Sequence, residues 1–283
     1  MLDEVLQWLD PRPGAVIVDG TLGGGGHTAA LAERVGPAGR VVALDRDPEA
    51  VDQARSGLAH LPVEPVHASF ADVPEVLAGL GVGAVDGVVL DLGVSSLQLA
   101  DRQRGFSFAA EGPLDLRFDP TAGQPAWRLL ERLSAEHLAD VIYRYGEERY
   151  SRRIARAVVE ARRSAPIRTA TELAGLVRRC VPRRPGGQRI DPATRTFQAL
   201  RIAVNDELKS LETALRRVPD CLGPRGRMAV ISFHSLEDRR VKRAFGADER
   251  LEVLTRRPVR PMDREVDANP RARSAKLRVA ARR

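Results

Sequence analysis

Cysteine is nearly absent: 283 residues hold only Cys180 and Cys221, with no C-x-x-C spacing. That excludes a zinc knuckle and a disulfide framework, and it fits a reduced, cytosolic setting. No grouping of His, Cys, Asp and Glu has metal-ligand spacing, so no metal site is expected. No apolar run approaches the roughly 18 residues needed to span a bilayer. The first ten residues carry Asp3 and Glu4 and lack the basic-then-apolar layout of a signal peptide. Internal repeats and low-complexity segments are missing too. What remains is a chain expected to be cytoplasmic, long enough for one large α/β domain or for an ordinary domain carrying an insertion.

The chain is organised around Asp19-Gly20-Thr21-Leu22-Gly23-Gly24-Gly25-Gly26-His27. Ala15 to Val18 before it reads as a buried parallel strand. Thr28 to Val35 after it places Ala29, Leu31, Ala32 and Val35 at helical spacing. Strand, glycine-rich turn and helix open a nucleotide-binding βαβ unit, in which glycines let the backbone approach a ligand. At the end of the next strand, Arg40 to Leu44, stands Asp45, where a carboxylate can accept both ribose hydroxyls. The loop is led by an acid and is not G-x-G-x-x-G. It therefore resembles the first motif of S-adenosylmethionine methyltransferases, with a nicotinamide dehydrogenase as the rival at this point.

Asp47-Pro48 starts a helix, Val63 to His67 reads as a third strand, and its exit loop places Phe70 near an adenine or in ordinary core. Val85 to Leu90 forms a fourth strand ending at Asp91, on the same ligand edge as Asp45. Residues 101–120 break into turns with Phe106 and Phe108 embedded, and read as a lid or substrate loop. A run of helices follows over 127–133, 134–145, 148–163 and 169–180, then a basic loop from Pro182 to Pro192. One long helix is expected from Thr194 to Val218, with Phe197, Leu200, Val204, Leu208, Leu211 and Leu215 at helical spacing. Arg227 to Phe233 is a fifth strand leading into His234, and Leu251–Thr255 with Ala275–Ala280 reads as an antiparallel pair. Five parallel strands and a terminal antiparallel pair predict an α/β, Rossmann-like class I methyltransferase sheet of seven strands with an inserted all-α domain. A dehydrogenase sheet does not end this way.

The net charge of +7 is unevenly spread. Residues 149–201 hold fourteen arginines against Glu160, Glu172 and Asp191; residues 250–283 hold eleven Lys and Arg against four acids, which leaves −11 on the rest. Two basic segments beside an acidic core suggest a polyanionic partner met by defined surfaces, the alternative being merely solvated helix faces.

Taken together, Asp19–His27, Leu44–Asp47, Leu90–Ser96, Arg104–Phe108, Gly112–Asp115, Tyr145–Arg149, Thr196–Leu208, Ile231–Asp238 and Asn269–Arg278 resemble the bacterial 16S ribosomal RNA cytosine-N4 methyltransferase family of the MraW type. The resemblance runs over nearly the whole chain in the family's order. It implies a discontinuous methyltransferase domain, 1–115 with 206–283, interrupted by a basic substrate-recognition domain over 116–205. S-adenosylmethionine is the implied cofactor and small-subunit 16S rRNA the implied partner, with no membrane and no obligate protein partner. The implied cofactor contacts are Gly25, Gly26, His27, Asp45, Phe70, Asp91 and Gln98. Two departures stand out. The family's His-x-Pro-Val lead is missing, so the chain is expected to start inside the native N-terminus, and Leu97 stands where a proline is common.

A sulfonium methyl is already activated, so such an enzyme mainly aligns donor and acceptor for in-line transfer. Cytosine's exocyclic amine is a poor nucleophile and needs a group that accepts its hydrogen bond and then its proton. The Asp/Asn/Ser-Pro-Pro-aromatic motif of many amino-methyltransferases is absent; Asp91-Leu92-Gly93-Val94 stands in its place. Asp91 is the first catalytic candidate and His234 the second. The target base must be unpaired or flipped out. Arginines of 149–201 and 256–273 would hold flanking phosphates. Phe106 or Phe108 would stack on the base, unless the two rings form the loop's own core. A methyltransferase of another nucleic acid or of protein, and a non-catalytic RNA-binding assembly factor, are the competing readings.

Overall fold

Seven segments become the strands of one sheet: β1 (Val16–Asp19), β2 (Arg40–Asp45), β3 (Val63–His67), β4 (Val85–Asp91), β5 (Leu222–Ser232), β6 (Leu251–Val253) and β7 (Lys276–Arg282). The computed structural model describes residues 1–108, 112–182 and 191–283. The strand order is β3-β2-β1-β4-β5-β7-β6, parallel except for β7, which runs antiparallel to both its neighbours. The order reverses at β1, flanked by β2 on one side and β4 on the other, so a ligand crevice lies beyond the carboxyl ends of these strands. Asp19, Asp45 and Asp91 are the last residues of β1, β2 and β4.

Both faces of the sheet are covered, which is why its strands read as continuous apolar runs. Ile17, Val41, Val89, Ala229 and Ile231 point to the face covered by α1 (Leu2–Leu9) and α2 (Gly26–Val35), against Val5, Leu9, Leu31 and Val35. Their neighbours Val18, Val42, Val88, Leu90 and Val230 point the other way, onto a second apolar layer. Between strands lie α3 (Pro48–Gly57), capped by the Asp47 side chain, and α4 (Val73–Gly79), which contributes Leu77 to that second layer. With the returning segment described below, these elements make one compact unit of residues 1–93 and 208–283.

Residues 94–207 form the other compact unit. The chain thus passes between units at 93/94 and 207/208, against the 115/116 and 205/206 expected. The helical unit contains α5 (Ser96–Ala100), α6 (Ala126–Arg132), α7 (Ala135–Gly146), α8 (Ser151–Ser164), α9 (Ala170–Cys180) and α10 (Thr194–Asn205). Its core joins Leu130, Leu138, Ile142, Ile154, Val158, Leu173 and Leu200. Gly146 lets α7 approach α10, since a Cβ there would collide with the Arg195 carbonyl.

The described parts of the 101–120 stretch, 101–108 and 112–120, do not form a free lid. Leu114 and Leu116 are fully buried, Leu116 N–H donates to the Arg104 carbonyl, and Arg104 donates to the carbonyls of Arg117 and Phe118. Phe106 stacks on Phe118 with ring centroids 5.9 Å apart, and Phe108 meets Phe197 edge-on at 4.6 Å. Phe106 is part of the core of its own unit, and Phe108, half-buried, packs against that core.

The expected helix from Thr194 to Val218 is two helices. Asp206 takes the left-handed conformation (φ 50°) after α10, and α11 (Glu207–Arg217) follows. The apolar spacing carries on across the break, so periodicity alone does not reveal it. Asn205 explains it: its buried side chain accepts from Phe118 N–H and donates to the carbonyls of Leu116 and Arg201. Aspartate tolerates the left-handed region better than most residues. After α11, whose Leu211 and Leu215 join the second apolar layer, come β5, α12 (Ser235–Ala247), β6, α13 (Asp263–Ala268) and β7. No helix among the described residues is long and apolar enough to cross a membrane.

Candidate active site

The glycine-rich loop is held by Asp19 from below. Asp19 is 1% exposed, and its carboxylate accepts from Thr21 N–H at 3.0 Å and from the Thr28 hydroxyl at 2.7 Å. Thr21 in turn accepts the Asp91 N–H on its hydroxyl at 2.7 Å, which ties the ends of β1 and β4 together. Neither threonine was singled out from sequence; the only available signal was a hydroxyl side chain beside an acid and a glycine. Gly20 admits no side chain, because a Cβ would meet Leu90 and the Phe70 Cβ. Phe70 therefore sits directly beside the loop, and it also packs against the second apolar layer.

Asp45 lies at the carboxyl end of β2 and spans two turns. One oxygen accepts from Gly23 N–H at 2.7 Å and the other from Asp47 N–H at 2.8 Å. Burial raises its carboxyl above the usual carboxylate range, against the lowering pull of those two N–H groups. Each oxygen keeps a further lone pair for a ligand hydroxyl. Gly25 precedes α2 in a left-handed conformation (φ 79°), Gly26 is the helix's first residue, and no side chain caps this end. Gly25 N–H donates to the Leu22 carbonyl at 2.8 Å, and the N–H groups of Gly26 and His27, at the start of the helix, lack intrahelical acceptors.

His27 and Asp91 come together, with Nδ1 and Oδ2 3.6 Å apart. Asp91 Oδ1 and His27 Nε2 are buried without a hydrogen-bond partner. Burial pushes the Asp91 carboxyl up to about 6; His27 opposes this, while the Asp19 and Glu237 charges add to it. Unpartnered buried polar atoms at a strand-end crevice make this pair a candidate site.

His234 lies just past the end of β5, which pairs with β4 through Asp91 and Ile231. Its Nε2 is 3.0 Å from Glu237 Oε1, an ion-pair distance without hydrogen-bond alignment, and its Nδ1 is buried with no partner. Gln98 belongs to the helical unit. There it is buried and closes a capping box with Ser95, each accepting the other's N–H at 3.1 Å. That box orders the turn that lacks the family's proline. No group of three or more potential metal ligands occurs among the described residues.

The basic segments are partly used up internally. Arg162 donates to the carbonyls of Leu130 and Leu133, Arg168 pairs with Glu131 and covers Trp127, Arg178 pairs with Asp191, and Arg201 with Glu207. Arg152, Arg153, Arg156 and Arg179 stay exposed on α8 and α9. Arg183 and Arg184, in the basic loop expected to meet phosphates, lie outside the described residues.

Comparison with known proteins agrees with this geometry. The model of the MraW methylase family matches residues 1–283. The ribosomal RNA small subunit methyltransferase H of Rhodopirellula baltica is 53% identical over 293 residues, covering 100% of this chain and 90% of that protein. The protein of the same name from Sorangium cellulosum is 55% identical over 282 residues, covering 99% and 88%. That of Thermomicrobium roseum is 46% identical over 302 residues, covering 100% and 92%. With a loop, strand-end acids and sheet order of this kind, and a match from end to end, the chain belongs to the MraW methylase family.

Proposed function

We propose that this chain transfers a methyl group from S-adenosylmethionine to the exocyclic N4 of a cytidine in the 16S rRNA of the small ribosomal subunit. The observation that carries the reading is Asp91, whose Oδ1 is sealed, unpartnered and set at the ligand edge of the sheet. The names of the relatives support ribosomal RNA of the small subunit as the substrate class. The motif set supports the cytidine amine.

The residues present fit the cofactor. Asp45 offers lone pairs to the ribose hydroxyls, Phe70 an apolar surface to the adenine, and the uncapped helix start at Gly26 and His27 supplies backbone donors, with Gly25 allowing close approach. Bound S-adenosylmethionine supplies a methyl group activated by its sulfonium, so the chain's work is alignment and proton acceptance. An unpaired cytosine amine has two N–H donors, and Asp91 Oδ1 and His234 Nδ1 are two unpartnered acceptors at the ends of β4 and β5. Asp91 then takes the proton. A carboxyl near 6 is largely ionised at neutral pH yet more basic than an ordinary aspartate, which suits a general base. The helical unit, with its exposed arginines, holds the flanking phosphates, and the cytoplasm is the setting in which this substrate is met.

The test is nucleoside mass spectrometry after incubation with labelled S-adenosylmethionine and either small subunits or naked 16S rRNA. Label in N4-methylcytidine is expected. Label in another base or in DNA would shift the substrate, and no transfer with intact RNA binding would favour a non-catalytic assembly factor.

A further inference from the structure

We propose that Glu237 is a positioning residue of the methyl-transfer site: its buried carboxylate orients the His234 imidazole, and Asp238, latched by Lys276 and Arg278, fixes the turn that carries both. The proposal rests on the reading of His234 as a group that meets the acceptor amine.

Two stretches of the sequence, Ile231–Asp238 and Asn269–Arg278, otherwise contribute only His234 to the chemistry. They meet in the fold. Glu237 is 2% exposed, and a carboxylate so deeply buried needs partners that use its charge. Oε2 accepts the Phe233 N–H at 2.9 Å, and Oε1 lies 3.0 Å from His234 Nε2. Both oxygens thus face the turn leaving β5. A carboxylate on the Nε2 side favours the proton on Nε2 and leaves Nδ1 as an acceptor. Both ring nitrogens are buried without an aligned hydrogen bond; Nε2 has the Glu237 carboxylate beside it. The Nε2 contact is close but bent, as such contacts often are before the substrate tightens them.

Asp238, the next residue, anchors this turn to the sheet. It accepts from Arg278 Nε at 2.7 Å and from Lys276 Nζ at 3.0 Å. Burial alone would raise the Asp238 carboxyl, but the Arg278 and Lys276 hydrogen bonds outweigh it and hold the group below the usual range. Both cations sit on β7, where Lys276 is in register with Ser232 and Arg278 with Val230 of β5. The latch is therefore one strand from the end of β5, and it fixes the first turn of α12.

Glu237→Gln keeps an oxygen for Phe233 N–H and removes the charge. In the full-length protein, kcat is expected to fall at least tenfold with S-adenosylmethionine affinity unchanged. In a His234→Asn background, the same substitution is expected to change kcat less than twofold, because residues acting as a unit are non-additive. Equal losses in both backgrounds, or no loss in either, would overturn the proposal. Independently of activity and of any variant, ¹⁵N spectra of the wild-type imidazoles are expected to show His234 protonated on Nε2. A proton on Nδ1 would overturn it equally. A wild-type chain that makes no N4-methylcytidine would sink the functional reading, and the tautomer would still decide Glu237.

Discussion

Replacing Asp91 with asparagine should make the protein more stable and inactive at once. The carboxyl titrates near 6 against an ordinary 3.8, because burial disfavours its ionised form, with the Asp19 and Glu237 charges adding to this and His27 and the Met1 amino group opposing it. Below about 3.8, folded and unfolded chains both hold the proton. Between 3.8 and 6 the unfolded chain releases it while the folded chain keeps it, so stability falls as pH rises, and above 6 the loss is complete. A shift of about two units corresponds to at most ~3 kcal/mol. Because the Asp91 side chain is 32% exposed although Oδ1 is sealed, solvent screening lowers this to about 1–2 kcal/mol. Asparagine keeps the shape and removes the charge. Thermal melts of both proteins from pH 4 to pH 8 should coincide at the acid end and separate above pH 6, by about 2–4 °C for each kcal/mol. Methyl transfer should drop by about 10²–10⁴, the usual contribution of a positioned base, and wild-type kcat/KM should fall tenfold per unit below pH 6. Melting curves that stay superimposed across the range, or an asparagine variant with wild-type turnover, would refute the assignment of Asp91 as a buried base.

Three other outcomes follow from particular contacts. Asp45→Ala should weaken S-adenosylmethionine binding by about 1.5–3 kcal/mol, as expected for lost hydrogen bonds to a charged group, and calorimetry showing unchanged affinity in a folded variant would remove Asp45 from the site. Arg153→Ala with Arg179→Ala, both exposed and without an acidic partner among the described residues, should leave cofactor affinity intact and lower the salt slope of RNA binding by about 0.7 per contact. A filter-binding titration with an unchanged slope would make that face mere solvated surface. Asn205→Ala should destabilise the helical unit by at least about 2 kcal/mol, since it strands Phe118 N–H and the Leu116 carbonyl, and equal urea midpoints for variant and wild type would contradict this.

The local parts of this protein were legible because local rules made them. A β-branched run, an acid, crowded glycines and a helical stripe occupy twenty consecutive positions, so the succession of β1, loop and α2 is written locally even though β2, β4, Asp45 and Asp91 hold it in place. The strand-end acids Asp45 and Asp91 were legible for the same reason, since each closes an apolar run whose length sets where the edge lies. The excess of arginine over 149–201 was legible as composition. Which arginines are available was not: Arg162, Arg168, Arg178 and Arg201 are taken by carbonyls and acids brought to them by folding. Sequence left Phe106 and Phe108 open between stacking on a base and forming the loop's own core, and packing against Phe118 and Phe197 favours the second. The apolar spacing through Thr194–Val218 describes a face and not a continuous axis, so the break at Asp206 had to come from Asn205 reaching residues 116–118. Charge pairing across the sheet lay furthest out of sight. Asp91 meets His27, and Asp238 meets Lys276 and Arg278, because strand order places distant residues side by side. Periodicity reports which way a side chain faces; only the tertiary structure decides what it faces.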